Sequence, residues 1–285
     1  MSSGSLEPQW WGGEPLWVTA RKAGLNAYVY FWPGSEVELH GYRPTQFKKF
    51  SPTPPPFFIV SLCSSFSFCL FCFLHLFIHS VHFRYNDYEP YMVRVNTVVD
   101  WISSAPDGPA DLVMMYFNQP DHDNHAHGPD SVEVTNAVIS MDFFFGQLIS
   151  RLKDAGVLAD VDIVLVADHG VSAISPSRTV EMSIPLNLSV YVTGSPVTQI
   201  WPKDWRLGTL ENSSSPEFQS WSANIRGPLM QYAGASGGHL SVFARDDIPA
   251  YLNYMGPLVS PFVAMTSPGW MVKSLYPGSN KGAHG

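Results

Sequence analysis

"VDIVLVADHG", residues 161–170, joins an unbroken apolar run to Asp168, His169 and a glycine. A continuous Val/Ile/Leu run without alternation is the pattern of a strand covered on both faces, so it predicts a central parallel strand over 161–167. In open α/β sheets the reactive groups lie beyond the carboxyl ends of such strands, where Asp168 and His169 fall. Neighbouring strand residues point to opposite faces, and Gly170 permits the turn that would bring this pair to one site.

Outward from that stretch the pattern alternates between strand and helix. "GEPLWVTARKAG" (13–24) has Pro15 suited to a first helical position and Gly24 suited to a stop, and "LNAYVYFW" (25–32) then reads as a buried strand. Pro90 opens a helix over "PYMVRVNTVVDWI", with Val95, Val98, Val99 and Ile102 near one face, and "DLVMMYF" (111–117) is a strand. Asp130 and Glu133 form a capping pair for a helix to about Lys153, carrying Val134, Val138, Met141, Phe145, Leu148 and Leu152 at helical spacing before Gly156. From Met182 to Trp221 the pattern weakens, with "LSVYVTG" (188–194) its best strand and Ser213 to Ser215 a loop. "HLSVFARDDIPAYL" reads as a strand and a Pro-led turn, and "SPFVAMTSPGWMV" as a last strand pair. This alternation argues for an α/β layered fold.

A second polar cluster follows the strand at 111–117. Asp121 and His125, four apart, can face one way across a helical turn. Carboxylate with imidazole is a ligand set for zinc, whereas all-oxygen sets suit magnesium or calcium. His122, Asp123 and His127 compete as ligands, and spacing does not choose among them. An Asp-His-Gly after a strand is by itself as readily turn chemistry, and a His-rich loop as readily solvated surface; two such clusters at successive strand ends favour a metal site. His40 and His239 have no partner visible in sequence and are read as structural.

The chain of 285 residues carries a formal charge of -8 with 45% hydrophobic and 14% charged residues, enough for a sizeable core. That balance supplies no basic surface for a nucleic-acid duplex, so phosphate chemistry would need metal ions. Residues 51–83 contain no Asp, Glu, Lys or Arg and hold all three cysteines, Cys63, Cys69 and Cys72. Phe57 to Ile78 is long enough to span a bilayer, but its serines, His75 and missing Trp/Tyr anchors argue against a span. Phe, Ser, Leu and Pro dominate the stretch, as pyrimidine-only codons would encode, and "FKKF" joins well to "RYNDYEPYMVRV" without it. Residues 51–83 therefore read as a retained intron or gene-model error within a catalytic domain of residues 1–50 and 84–285. Recovery of the Phe-rich peptide from the natural protein would refute this. No charged-then-apolar export signal opens the chain.

In order, "GGEPLWVTARKAG", "YFWPGSEVELHGYRPT", "YNDYEPYMVRVNTVVDWI", "YFNQPDHDNHAHGPDS", "VLVADHGV", "LSVFARDDIPAYLNY", "GWMV" and "KGAHG" resemble the ectonucleotide pyrophosphatase/phosphodiesterase family, a branch of the alkaline phosphatase superfamily. The resemblance implies an alkaline-phosphatase-like α/β fold, a central mostly parallel sheet flanked by helices, and hydrolysis of nucleotide pyrophosphate or phosphodiester bonds by two zinc ions. It assigns Asp121, His125 and His284 to one ion and Asp168 with His169 to the other. The second ion should also take an aspartate and a Thr or Ser nucleophile that forms a covalent phosphoenzyme. Those residues are expected upstream of Met1, so the chain reads as a domain lacking its amino-terminal part and as nearly inactive alone. Tyr85 matches a tyrosine that stacks a nucleobase. The resemblance further implies an extracellular or cell-surface location and a small phosphodiester substrate. The alternatives are an inactive relative that binds zinc or nucleotide, and another hydrolase of the same superfamily.

Overall fold

The computed structural model describes residues 7–8, 11–48, 89–182, 190–209, 211–276 and 278–284. Residues 51–83 and Tyr85, on which two of the sequence expectations rest, lie outside the described residues. The chain divides into two compact units, Met1–Asn118 with Ser140–Ile163, and Gln119–Ile139 with Val164–Gly285.

The first unit is built on a parallel sheet of order β2-β1-β3, formed by β1 (Ala27–Tyr30), β2 (Gln46–Lys48) and β3 (Leu112–Met115). Tyr28 stands opposite Gln46 on one side and Val113 on the other. All four β1 residues are buried, because both faces are covered. Ala27 and Val29 pack with Trp17, Val18 and Ala20 of α1 (Leu16–Lys22). Tyr28 and Tyr30 pack on the opposite side with Val95, Val98, Val99 and Trp101 of α2 (Tyr91–Ser104) and with Leu148 and Leu152 of α4 (Val132–Asp154). Helix–sheet–helix layering is thus present as expected. Pro15 and Pro90 sit one residue before their helices, as caps, and Gly24 takes a φ of 79° after α1. Ser131, and not Asp130, caps α4: its hydroxyl accepts from the Val134 amide at 3.2 Å.

Arg94 is fully buried in this unit. Its guanidinium lies 4.6 Å from the Tyr91 ring centre, 4.9 Å from Phe31 and 5.5 Å from Phe117, and donates to the Tyr116 carbonyl at 3.0 Å. Burial pushes the guanidinium down to about 10. Burial, and then the hydrogen bond to the Glu89 carboxylate, hold the neighbouring Tyr30 hydroxyl well above the usual phenol range.

The second unit holds an antiparallel sheet of order β6-β7-β9-β8, from β6 (Val190–Thr193), β7 (Val197–Pro202), β8 (Leu240–Ala244) and β9 (Phe262–Thr266). Helix α5 (Pro216–Ala235) buries Trp221, Ile225 and Leu229 against Ile200, Leu240, Phe262 and Ala264. The sequence reading missed this helix, although the Ser loop before it supplies the cap, Ser215 accepting from the Phe218 amide at 3.1 Å. Two short pairs complete the unit: parallel β5 (Thr179–Val180) with β10 (Met271–Val272), and antiparallel β4 (Ser172–Ala173) with β11 (Gly282–Ala283). The expected last strand pair therefore separates, β9 joining the large sheet and β10 joining β5. His239 stacks on Trp270 with ring centres 3.7 Å apart, consistent with a structural role.

The central strand expected at 161–167 is absent. No strand is formed there, and Val164, Leu165 and Val166 are 81%, 82% and 65% exposed. A strand needs neighbours to take up its backbone groups, and among the described residues none lies beside this run. Helix α4 is long and apolar enough to cross a membrane by length and composition only; its final turns bury Leu148 and Leu152 in the first unit's core.

Candidate metal centre

After β3 the chain passes through the Gln119–Pro120 cis bond into α3 (Asp121–His127), with Asp121 in its first turn and Gly128 ending it at a φ of 86°. Helical pitch places Asp121 and His125 on one face, and Asp121 Oδ1 lies 3.4 Å from His125 Nε2. The third group arrives from far along the chain. His284, just after β11, puts Nε2 3.7 Å from the same Asp121 oxygen. These three form the one group of three or more possible ligands found among the described residues, with one donor atom each lying within 4.8 Å of the others.

The Asp168 and His169 pair reaches the same place by strand pairing. β4 follows it, and the β4–β11 register sets Ser172 opposite Ala283 and Ala173 opposite Gly282. The His169 ring stacks on His284 with centres 3.5 Å apart and an interplanar angle of 11°. Asp168 Oδ2 is 3.4 Å from His169 Nε2. His169 thus joins Asp121, His125 and His284 in one place, and Asp168 lies beside His169.

Hydrogen bonding selects the ring atoms that face inward. His125 Nδ1 lies 3.0 Å from the Gly282 carbonyl and 3.4 Å from Asn280 Nδ2, which leaves Nε2 as the ring nitrogen turned toward Asp121. His169 Nδ1 stands 3.2 Å from the Gly170 carbonyl and is oriented in the same sense. The remaining loop residues turn elsewhere: His122 pairs with Asp123 at 3.2 Å, and His127 lies 3.9 Å from Glu133.

A divalent ion fits the three donors on two grounds. Asp121 Oδ1 is buried without a hydrogen-bond partner, which costs about 1–3 kcal/mol or more for a charged oxygen unless a cation takes it up. Zinc bonds of about 2.0–2.1 Å at tetrahedral angles hold ligands about 3.3–3.4 Å apart. The separations of 3.4 and 3.7 Å are close to that spacing.

Gly282 was missed in sequence. A Cβ there would lie 2.3 Å from the Asn124 carbonyl oxygen and 3.1 Å from Val171 Cγ1. Its place two residues before His284 was the one available signal.

The profile of the type I phosphodiesterase / nucleotide pyrophosphatase family matches residues 1–285. Venom phosphodiesterase 2 of Crotalus adamanteus is 33% identical over 177 residues, covering 62% of this chain and 18% of the venom protein. The human ectonucleotide pyrophosphatase/phosphodiesterase family member 1 is 26% identical over 205 residues, covering 71% of this chain and 18% of its own length. The chain therefore spans under a fifth of these curated relatives. In fold, it resembles an inactive form of murine ectonucleotide pyrophosphatase / phosphodiesterase 5 in complex with AMP, with a TM-score of 0.71 and 23% identity over 98% of this chain and 61% of that one. The human counterpart gives the same TM-score of 0.71 at 21% identity.

Proposed function

Because the chain belongs to the type I phosphodiesterase / nucleotide pyrophosphatase family, we propose that it carries much of a two-zinc site for hydrolysing nucleotide pyrophosphate and phosphodiester bonds. The observation that carries this reading is the buried, unpartnered Asp121 Oδ1 beside His125 Nε2 and His284 Nε2. Asp121, His125 and His284 would hold one ion, and Asp168 with His169 would contribute to the other. Bound zinc supplies charge for the attacking and leaving oxygens of an in-line displacement at phosphorus.

The chain's own residues set up that chemistry. One carboxylate and two neutral imidazoles leave a divalent ion with a net positive charge, which attracts a phosphate anion to a chain whose formal charge is -8. The carbonyl contacts of His125 and His169 at Nδ1 orient both rings so that Nε2 is the nitrogen that would face a bound ion. The attacking hydroxyl is assigned to a Thr or Ser outside these 285 residues, so the chain alone binds metal without appreciable turnover. Residues 1–50 and 84–285 belong to the catalytic domain in this reading, 51–83 are extraneous to it, and Tyr85 stacks the base. The AMP complex of the murine relative favours a nucleotide as substrate over other phosphodiesters. The venom and ectonucleotide relatives favour action outside the cell or at its surface.

The test uses the natural full-length protein. Nitrophenol release from a nitrophenyl nucleotide ester should vanish on chelation and return with zinc. A well-folded protein that shows no metal-dependent hydrolysis refutes the reading.

A further inference from the structure

The last strand closes the centre from a distance of 157 residues, and one position controls how closely it does so. The Lys281 amide donates to the His125 carbonyl at 2.8 Å, and the Ile174 amide donates to the Lys281 carbonyl at 2.9 Å. Residues 281–283 are therefore clamped between α3, which carries Asp121 and His125, and β4, which follows Asp168 and His169. At the centre of this clamp Gly282 lies directly against the Asn124 carbonyl. Any side chain there would meet Asn124 O at 2.3 Å, Asn124 C at 2.9 Å and Val171 Cγ1 at 3.1 Å. Two of these atoms are backbone of the helix that bears the ligands, so they cannot swing aside as a side-chain tip could.

We propose that Gly282 is a positioning residue for the metal centre: lacking a Cβ, it lets the strand approach α3 closely enough for its carbonyl to meet His125 Nδ1 at 3.0 Å, and it places His284 beside Asp121. An alanine would push the strand away from α3. The 3.0 Å contact to His125 would lengthen, and the ring would lose the carbonyl that fixes its orientation toward Asp121. His284, two residues on, would move with the strand. This inference rests on the proposed metal site for its consequence, but the placement of His284 beside His125 is a property of the metal-free chain.

The experiment is carried out on the complete 285-residue chain with labelled histidine. Nuclear Overhauser spectra of the metal-free protein report whether the His125 and His284 rings, 5.0 Å apart between centres, lie side by side, and comparison with His125→Gln assigns the His125 signals. Zinc affinity is then read by competition with a chromophoric chelator. The ring-to-ring contact in the parent chain, its loss in Gly282→Ala, and an affinity lower by about ten- to hundredfold are the expected results. Asn280→Ala, which removes only the neighbouring amide, should keep the contact. Absence of the contact in the parent chain overturns the proposal whether or not the alanine variant folds. A folded Gly282→Ala protein with the parent contact and parent affinity overturns it as well. A parent chain with the contact but no zinc affinity would refute the metal site instead, so the two failures are distinguishable.

Discussion

Replacing His284 by alanine is the most direct test of the convergence seen at the candidate metal centre. His284 is the candidate ligand that no local spacing could supply, and its side chain is about one-quarter exposed, at 28%. Asp121 is a poorer target, since removing it also relieves the unpartnered Oδ1. Structural zinc sites with four ligands bind with about 10–16 kcal/mol, or about 3 kcal/mol per ligand, so losing one of three should weaken binding by about a hundredfold. With zinc at about 100 times the parent's Kd, linkage stabilises the parent by about 2.7 kcal/mol but the variant by only about 0.4 kcal/mol. For a unit of roughly 150 residues, this corresponds to a zinc-induced rise in Tm of about 5–10 °C in the parent and about 1–2 °C in His284→Ala. Differential scanning calorimetry with and without zinc, alongside chelator competition, reads both quantities. A variant with the parent's affinity and the parent's rise in Tm would refute the three-ligand reading.

The second ion is tested by Asp168→Asn combined with His169→Ala, which should lower zinc bound by the full-length protein from two equivalents to one while leaving the tighter site in place; elemental analysis after gel filtration would reveal an unchanged count. Arg94→Leu removes a buried cation from three aromatic faces and leaves the Tyr116 carbonyl without the guanidinium donor, and should destabilise the first unit by about 1–3 kcal/mol, visible as a lower urea midpoint, whereas a parent-like midpoint would show the cage to be dispensable. The raised Tyr30 pKa means that the folded state favours the neutral phenol, so its stabilisation is complete below about pH 10 and is lost as pH climbs through the folded value. Tyr30→Phe should flatten that alkaline decline, and an equally steep decline in the variant would assign it to other groups. Leu165→Lys, within the exposed apolar run, should reduce light scattering of the isolated chain without changing zinc affinity; unchanged scattering would place the sticky surface elsewhere.

The amino-acid sequence by itself determined the local half of this protein. Proline before α1 and α2, glycine after α1, and apolar residues at helical spacing on α2 and the end of α4 are constraints within a few residues, where backbone sterics and helix pitch decide the outcome. The same pitch made Asp121 and His125 legible as a pair, and the ordered motifs made the family legible. The tertiary structure decided everything that depends on pairing across the chain. His284 meets Asp121, and His169 stacks on His284, because β11 pairs with β4 in one register, which no local pattern encodes. Gly282 matters only because the Asn124 carbonyl lies against it. The run at 161–167 makes the same point from the other side: its residues have every intrinsic preference for a buried strand, yet a strand exists only where a neighbour takes up its hydrogen bonds, and among the described residues none does.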